Sequence, residues 1–288
     1  MFHSFKRSSQ RLRCPRTWVF SALCALWGAA ALAQEPAAGL PLWEIGAFAG
    51  SLSAPAYPAS AERFTRNLVL PYVIYRGDVL RADREGVGAR LELAPGYQLD
   101  FGASGSFAAS SADVAARQNM PDLGTLVEVG PRLRITLARP GPGMRVGLDL
   151  PLRGVVEING GFHSKGLVFE PSLVLEASDV GAGWSLAAKG GLVWGDQQLN
   201  QYFYGVPLAY ATQLRPYFEA QSGLISARIS LSASHNISPD VRFFGYARLD
   251  QYSLGSNTNS PLSLQTSSPT VGVGLTWTLG RSDTRLGN

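Results

Sequence analysis

Two histidines, His163 and His235, are the side chains in the body of this chain best suited to acid–base or nucleophilic chemistry. His163 is followed by Ser164, and His235 by Asn236. Some small membrane barrels are lipid hydrolases in which a histidine activates a serine nucleophile. Each histidine here stands near the end of a predicted strand, and neither has the His-x-Ser spacing that such hydrolases often show. A solvated histidine is therefore favoured over a catalytic one, and we predict no catalytic residue and no enzyme activity.

The other residue types that build reactive or ligand sites are equally sparse. The only cysteines are Cys14 and Cys24, and both precede residue 34. Once that segment is removed, the chain can form neither a disulfide nor a thiolate metal site, and two histidines are too few for a histidine-built metal site. Gly86-x-Gly88 and Gly272-x-Gly274 lie in predicted strands without a following helix, unlike a dinucleotide loop. We expect no metal and no cofactor.

The N-terminal segment has the pattern of a secretory signal peptide. An apolar run covers residues 18–32, and Ala31-Leu32-Ala33 is a small-x-small cleavage site before Gln34. The run is short for a spanning helix, and leucine rather than a small residue precedes Cys24, unlike a lipoprotein signal. We predict a Sec signal peptide over residues 1–33, followed by a single domain over 34–288. The basic residues before the apolar run are Lys6, Arg7, Arg11, Arg13 and Arg16.

Removing this segment changes the charge of the chain. The full chain carries 25 basic and 21 acidic residues, a formal charge of +4. Loss of the five N-terminal basic residues leaves 20 against 21, a net charge of about −1. The basic isoelectric point therefore does not indicate a nucleic-acid partner. No later stretch offers 18 uninterrupted apolar residues, so no transmembrane helix is predicted.

The elements that position the polar side chains are strands, and residues 184–194 are the clearest. One face of this stretch is apolar or small, whereas the other carries Lys189 at its centre. Because side chains alternate along a strand, the stretch is predicted to be a strand with one apolar face and one mostly polar face. At roughly 40° of tilt it spans about 25 Å, the height of the lipid-facing band of an outer-membrane barrel. A soluble sandwich strand remains the alternative for this stretch alone. The apolar face consists of Trp184, Leu186, Ala188, Gly190, Leu192 and Trp194.

The same alternation recurs along the chain and predicts an all-β protein. We count twelve strands, with ten as the alternative, joined by short connections at 77–78, 95–96, 138–143, 179–183 and 238–240. Longer ones lie at 53–66, 108–124, 156–166, 195–222 and 253–269. Short and long connections alternate, apart from a tight one near Asp83 to Gly86, as in outer-membrane barrels with short periplasmic turns. The prediction is a transmembrane antiparallel up-and-down β-barrel. Its last strand, Val271 to Leu279, contains the usual assembly signal at Gly272 to Trp277, although Arg281 to Asn288 extend past it.

Charged residues of both signs lie on the polar faces of the predicted strands. A wide selective pore would favour rings of one sign, whereas mixed signs indicate cross-strand pairing and a narrow or blocked interior. Tryptophans near strand ends are expected to form aromatic girdles at the membrane edges, namely Trp43, Trp184, Trp194 and Trp277. The predicted lumen residues are Arg90, Glu92, Asp100, Glu128, Arg132, Arg134, Arg145, Asp149, Arg153, Glu170, Glu176, Lys189, Arg228, Arg242, Arg248 and Asp250.

The chain resembles the MipA/OmpV family over nearly its whole mature length, because several short motifs occur in the same order and at similar spacing. The first is Ala54-Pro55-Ala56-Tyr57-Pro58-Ala59-Ser60, where the family usually has glycine at the position of Ala59. The others are Leu70-Pro71-Tyr72-Val73-Ile74-Tyr75-Arg76, Asp122-Leu123-Gly124, Gly130-Pro131, Leu150-Pro151-Leu152-Arg153, Tyr202-Phe203-Tyr204-Gly205-Val206, Arg215-Pro216-Tyr217 and Ser260-Pro261-Leu262.

The resemblance implies a structural protein of the bacterial outer membrane that scaffolds peptidoglycan-remodelling enzymes. The expected partners are outer-membrane lipid or lipopolysaccharide, a lytic transglycosylase and a peptidoglycan synthase. The alternative is a channel or a surface adhesin. The family supplies no catalytic residues, so its motif residues are candidates only for partner contacts or architecture. The Tyr202-Phe203-Tyr204 cluster could stack on a sugar, but a loop anchor or a part of the outer aromatic girdle is favoured.

Overall fold

The computed structural model describes residues 39, 41–76, 80–83, 86–106, 109–158, 161–181 and 183–284. The side chains of 80–83, 86–90 and Ser106 are outside that description, as are residues 1–38. The predicted signal peptide and the side chain of Arg90 therefore lie outside the described residues. The chain from Gly39 onward forms one compact unit.

Thirteen strands and one α-helix are described. The helix α1 covers Gln197–Tyr204. The strands are β1 Trp43–Pro55, β2 Arg63–Arg76, β3 Leu80–Asp83, β4 Gly86–Ala94, β5 Tyr97–Ser106, β6 Thr125–Ala138, β7 Met144–Ile158, β8 Phe162–Phe169, β9 Ser172–Ala177, β10 Trp184–Gly195, β11 Gly223–Asn236, β12 Val241–Gln251 and β13 Ser267–Arg281.

The strands form one antiparallel sheet that closes on itself. Each strand pairs with its neighbours in sequence, except that β8 and β9 each pair with β7 and β10, and β13 pairs with β1 to close the sheet. β8 and β9 share one place in the wall between β7 and β10, because Glu170 and Pro171 interrupt a single run. The wall therefore has twelve strand positions, which confirms the predicted up-and-down barrel of twelve strands.

The outer face of the barrel is apolar and the inner face carries the charges, because successive side chains point to opposite sides of each strand. On β10, Leu186 is 45% exposed on the outside. Ala188 lies on the same face, opposite Leu231 of β11 and Leu175 of β9. Lys189 points inward, where its Nζ lies 3.8 Å from Asp149 Oδ2. No helix among the described residues is long and apolar enough to cross a membrane.

The connections alternate between two ends of the barrel. We call the end with the three longest connections, 107–124, 196–222 and 252–266, the loop end. The opposite turn end holds the connections at 77–79, 95–96, 139–143, 178–183 and 237–240. Both described chain ends also lie there, since Leu42 N donates to Thr284 O at 3.0 Å.

Two predicted long connections are shorter than expected. Residues 53–66 contract to 56–62, because β1 and β2 pair out to Pro55 and Arg63. The expected connection at 156–166 is wrong: β7 runs to Ile158 and β8 begins at Phe162. A bulge causes the error, since Val155 pairs with Gly166 but Val156 pairs with Ser164, leaving one residue extra. That shift interrupts the alternation on which the sequence-based assignment depended.

Candidate functional site

The two candidate histidines lie at opposite ends of the barrel. His163 pairs with Glu157 near the loop end. His235 lies at the turn end of β11, where its ring stacks on Trp184 with centroids 4.8 Å apart. They therefore form no common site. Within the described part of the chain, no cluster of three or more histidine, cysteine or acidic residues is placed to hold a metal ion.

Seven predicted lumen residues meet in a lower ion-pair row, nearer the turn end. Arg134 is its centre, with its guanidinium 3.7 Å from Asp100, 3.6 Å from Asp149 and 3.5 Å from Glu176. Strands β5, β6, β7 and β9 are thereby linked across the inner wall. The remaining contacts are Arg132–Asp100 at 2.7 Å, Arg145–Glu176 at 2.8 Å, Arg145–Asp149 at 3.8 Å and Lys189–Asp149 at 3.8 Å.

Six more predicted lumen residues form an upper ion-pair row, nearer the loop end. Glu170 joins its two halves, accepting from Arg153 at 3.3 Å and Arg228 at 2.6 Å. Asp250, only 1% exposed, lies between Arg228 at 2.7 Å and Arg248 at 2.8 Å. Glu128 extends the row through Arg153 at 3.3 Å and accepts from the Ser104 hydroxyl at 3.1 Å. The row thus runs around the inner wall from β5 to β12.

Two other predicted lumen residues lie apart from both rows. Glu92 is exposed near the turn end of β4. Arg242 lies beside the turn-end opening, with its guanidinium 5.8 Å from the Phe244 ring.

Residues of the 196–222 connection fill the loop end of the barrel. Asp196 caps α1 by accepting from Leu199 N at 2.8 Å, and it also accepts from Leu167 N of β8 at 2.9 Å. These two bonds fix the helix on the inner wall. The helix then buries Leu199 and Tyr204 in an apolar cluster made with inward residues of the strands, Leu126, Val155, Val168, Val193 and Ile225, and with Ala59, Ala220 and Tyr252.

A second apolar cluster joins the three longest connections and the 56–62 connection above the barrel. It contains Tyr57, Ala109, Val114, Met120, Leu123, Val206 and Leu262. We call α1 and these four connections the cap. Burial of apolar surface between the connections stabilises the cap, which among the described residues has only single turns of helix besides α1.

Most family-motif residues serve as anchors within the cap. The Tyr57 hydroxyl donates to Leu262 O at 2.8 Å, and the Ser260 hydroxyl donates to Tyr204 O at 2.7 Å. Arg215 donates to Ala116 O and Gln118 O at 2.9 and 3.0 Å. Pro55 and Pro261 flank these anchors, Pro216 follows Arg215, and Gly205 ends α1.

A tight turn lies around Ala59, the position at which the family resemblance implies a glycine. Ala59 has φ of 65°, a left-handed conformation that favours glycine. Its carbonyl accepts from Leu264 N and Gln265 N at 2.9 and 3.0 Å. Ser60 closes the turn, with its hydroxyl donating to Glu62 at 3.0 Å. These bonds hold the turn that follows β1 against the 252–266 connection.

Tyr72 of the Leu-Pro-Tyr motif spans the inner face of β1. Its hydroxyl lies 2.6 Å from Thr278 Oγ1, although β2 and β13 are separated by β1. Gly46 of β1 makes this possible, because a Cβ there would lie 2.6 Å from the Tyr72 ring. Pro71 lies next to Tyr72 on β2 and faces outward.

The structure places the Tyr202-Phe203-Tyr204 cluster inside the cap, as a loop anchor. Tyr204 is 3% exposed, and the Phe203 carbonyl accepts from Arg117 at 3.3 Å. The cluster is therefore not part of an outer girdle. The predicted girdle tryptophans divide unevenly: Trp43, Trp184 and Trp277 lie near the turn end, whereas Trp194 lies near the loop end.

Sequence reasoning missed the polar contacts that hold the cap in place. Glu157 lies inside the barrel mouth and accepts from Tyr202, Gly124 N and Lys165. Asn257 donates to Asn200 Oδ1 at 3.1 Å, which joins two connections. These residues lie in connections or beside a bulge, where no periodicity marks an inward position. The sequence of α1 gave no signal for Asn200, because the helix mixes four side-chain amides with one leucine and three aromatic residues.

Burial in the cap shifts the pKa of several side chains. Burial raises the pKa of Tyr57 to about 12, and burial likewise raises that of Tyr252 to about 12. Burial lowers the pKa of Arg117, opposed by the nearby Tyr57. The backbone N–H of Ser111 holds the pKa of Asp122 below its usual range. The tyrosines are therefore neutral structural anchors at ordinary pH.

Two of the cavities inside the barrel lie toward its two ends. One, of about 400 Å³, lies between the cap and the upper ion-pair row. The other, of about 620 Å³, lies at the turn end and is lined by Glu44, Arg76, Arg242 and other residues of β1, β2, β12 and β13. Glu44 and Arg76 form an ion pair there at 2.8 Å. The cap and the two ion-pair rows thus leave the turn end as the more open end.

Comparison with known proteins identifies the family. The model of the MipA family, described as MltA-interacting protein MipA, matches residues 45–279. No curated protein matches the chain.

Three solved structures with a similar course of the chain have low sequence identity to it. Outer membrane phospholipase A from Escherichia coli is 14% identical, with 84% of this chain and 92% of that chain covered and a TM-score of 0.36. Salmonella typhi OmpF, in a complex with daunomycin, is 10% identical, with 82% and 97% covered and a TM-score of 0.34. The CymD monoaromatic hydrocarbon channel is 10% identical, with 83% and 89% covered and a TM-score of 0.31. At this level no conclusion about activity follows.

Proposed function

This chain belongs to the MipA family and is an outer-membrane β-barrel protein, and from that premise we propose that it is a scaffold for peptidoglycan-remodelling enzymes. The observation that carries the proposal is the interior of the barrel, which is filled by the cap at one end and lined by two ion-pair rows. Such a barrel is better suited to holding a fixed surface than to passing solutes. The family description names an interaction with MltA, and the proposed partners are a lytic transglycosylase and a peptidoglycan synthase.

In the proposed orientation, the turn end faces the periplasm and the cap faces outward, as in bacterial barrels with short periplasmic turns. The turn-end rim then meets the partner. It carries charges of both signs, including the Glu44–Arg76 pair and a pair between Arg281 and Asp240. Mixed charges at a rim favour specific orientation of a partner more than raw affinity.

This orientation places the bulk of the connecting segments on the side away from the murein enzymes. The partner surface must therefore be small and built from turns, chain ends and rim. The 237–240 turn is suitable, since Ser238 is exposed and its hydroxyl accepts from Asp240 N and Val241 N at 3.3 and 3.0 Å. A Sec signal peptide over residues 1–33 and a Gram-negative envelope are part of the same proposal.

Site-specific photocrosslinking in cell envelopes tests the proposal. A photoreactive amino acid at Ser238, at the turn end, should capture lytic transglycosylases or peptidoglycan synthases identified by mass spectrometry. The matched control is Thr258, exposed in the cap, which should not capture them. Capture of these enzymes only from Thr258, or from neither position, would contradict the scaffold.

A channel or surface adhesin is the alternative function. A large, stable, ion-selective conductance from the purified protein would favour a channel. Capture of extracellular material from the cap would favour an adhesin. Lipopolysaccharide is proposed as a surrounding lipid in either case.

A further inference from the structure

The inner wall near the turn end carries aromatic rings that lie on glycines. Phe48 of β1 lies along the wall, because a Cβ at Gly50 or at Gly274 would be 2.6 Å from its ring. The Tyr72 ring lies over Gly46 at the same distance from such a Cβ. Larger residues at these three positions would push the rings into the lumen. The glycines therefore keep the space in front of the rings open.

The turn-end cavity lies in front of these rings. Its volume of about 620 Å³ falls within the range of ligand pockets, roughly 300–1,000 Å³. Phe48, Tyr72 and Phe244 supply its aromatic lining, and each of the three side chains is partly exposed. Apolar surface gathered in a concave site with a few polar groups is the usual composition of a ligand site.

One arginine of this cavity has no ion-pair partner among the described residues. Arg242 of β12 lines the cavity, and its guanidinium lies 5.8 Å from the centroid of the Phe244 ring. Its Nε is buried and has no hydrogen-bond partner within the described part of the chain. Glu44 attracts Arg242 electrostatically, but Glu44 is already paired with Arg76 at 2.8 Å. The planar guanidinium is therefore available to a carboxylate, which it matches with two parallel hydrogen bonds.

The other charges of the cavity favour a ligand with a single negative charge. The remaining charged residues of its described lining are paired, Glu44 with Arg76 and Asp240 with Arg281. Arg76 also repels Arg242, which an anion between them would offset. A second negative charge on the ligand would instead face Glu44 and Asp240, and like charges repel.

Hydroxyl groups beside the aromatic rings have hydrogen-bonding capacity that the described contacts leave unused. The hydroxyls of Tyr72 and Thr278 bond to each other at 2.6 Å, which uses one of their two protons. The Ser238 hydroxyl accepts from two backbone N–H groups and keeps its own proton for another acceptor. Thr276 adds a further hydroxyl to the lining. A pyranose sugar suits such a surface, because it has polar groups at its edge and a C–H face that packs on the electron-rich face of an aromatic ring.

We propose that the turn-end cavity binds a pyranose sugar that carries a single carboxylate. The carboxylate accepts from the Arg242 guanidinium. The sugar ring packs on Phe48 and Phe244, with its hydroxyl groups toward Thr276 and Ser238. The ligand enters from water at the more open end of the barrel. The inference requires no protein partner, so it is independent of the scaffold function.

Ligand-detected saturation-transfer NMR on the purified barrel in detergent tests the ligand without any substitution. The probe is N-acetylmuramic acid, and its control is N-acetylglucosamine, the same ring without the carboxylate-bearing group. The acid should bind about tenfold more tightly than the neutral sugar, as expected for one charge-assisted pair. Acetate, which has a carboxylate but no ring, should bind several-fold more weakly than the acid. Equal affinity for the acid and the neutral sugar would overturn the proposal. Tighter binding of benzoate would also overturn it, because the site would then belong to an aromatic acid.

Substitution of Arg242 tests the position of the carboxylate. In Arg242→Gln the affinity for the acid should fall about tenfold, to that of the neutral sugar, whose own affinity should not change. Arg139→Gln is the matched control, since Arg139 is an exposed arginine of the same end outside the lining of this cavity, and it should bind as wild type. Arg242→Lys keeps the charge and should retain part of the preference for the acid. A folded Arg242→Gln protein that still prefers the acid would place the carboxylate elsewhere and overturn the site.

Substitution of Phe48 tests the position of the ring. Phe48→Leu keeps an apolar side chain but removes the aromatic face, so both sugars should bind several-fold more weakly while the preference for the acid remains. Heat-modifiable gel migration verifies that each variant is folded. Unchanged affinity for both sugars in folded Phe48→Leu protein would overturn the stacking of the sugar on this wall.

Discussion

The Tyr202 hydroxyl donates to Glu157 Oε1 at 2.7 Å and thereby ties α1 to the inner wall of the barrel. The same hydroxyl accepts from Gly124 N at 2.9 Å, and Lys165 Nζ lies 2.9 Å from Glu157 Oε2. Glu157 is 7% exposed, so its charge depends on these partners. The bulge between β7 and β8 supplies the lysine, because the extra residue in the register is Lys165.

Removing the Tyr202 hydroxyl should loosen the cap without unfolding the barrel. A hydrogen bond to a charged group contributes about 1.5–3 kcal/mol, and Tyr202→Phe removes one. Amide hydrogen exchange of residues 197–204 should accelerate accordingly, while exchange in β6 and β7 stays slow. The control is Tyr217→Phe, which removes an exposed hydroxyl 3.3 Å from Glu219. Unchanged exchange in Tyr202→Phe would show that apolar burial alone holds α1.

The ion-pair rows should keep the conductance of the barrel small in planar bilayers. Arg228→Ala leaves Asp250 and Glu170 without a shared partner inside the wall. Asp250 keeps Arg248 at 2.8 Å and Glu170 keeps Arg153 at 3.3 Å, so the cost should fall below the about 3–5 kcal/mol of a buried charge left with no partner. We expect a lower free energy of unfolding in detergent and more frequent current fluctuations. Arg139→Ala, on an exposed residue of the turn end, should change neither. An Arg228→Ala protein with unchanged current fluctuations and an unchanged free energy of unfolding would refute a structural role for the upper ion-pair row.

The cap should open at alkaline pH before the barrel unfolds. Burial raises the pKa of Tyr57 from its ordinary value of 10.0 to about 12, so the folded cap favours the neutral phenol. This stabilisation is complete below pH of about 10 and is lost as pH rises from about 10 to about 12. Ionisation also removes the donor to Leu262 O.

Hydrogen exchange of the cap measured across that pH range provides the test. Wild-type exchange beyond its intrinsic base-catalysed rise should increase above pH of about 10, and Tyr57→Phe should show a weaker increase. Tyr97→Phe, on the outer face near the turn end, should behave as wild type. An identical pH dependence in all three proteins would exclude Tyr57 as a source of the opening.

The barrel wall was predictable from the sequence because lipid and lumen impose opposite polarities on successive residues. Lys189 between Ala188 and Gly190 already indicated which face of β10 is inward. The same rule failed at Lys165, where a bulge reverses the alternation. It also could not show that Pro171 divides one wall strand into β8 and β9.

The cap was not predictable by the same rule. Its contacts join residues such as Tyr57 and Leu262, 205 positions apart, in connections without periodicity. The weak motifs marked these residues, but a motif does not say which of its residues contacts which other residue.

The proposed orientation can be tested by labelling on intact cells. Cysteines at Ser110 and Ser256, both in the cap, should react with an impermeant maleimide. A cysteine at Ser238, in the 237–240 turn, should react only after the outer membrane is permeabilised. The reverse pattern would place the turn end outside and remove the proposed periplasmic partner surface.

Adjacent residues on β10 should respond in opposite ways to a change of charge. Ala188 lies on the lipid side near the midpoint of the strand, and an arginine at the midplane of a barrel costs about 2–4 kcal/mol. Ala188→Arg should therefore impair assembly. Lys189→Ala should be mild, because Asp149 keeps Arg134 at 3.6 Å and Arg145 at 3.8 Å. Heat-modifiable gel migration after refolding in detergent micelles measures both variants. Equal tolerance of the two substitutions, or folding of the wild type in plain buffer, would contradict a lipid-facing surface on this strand.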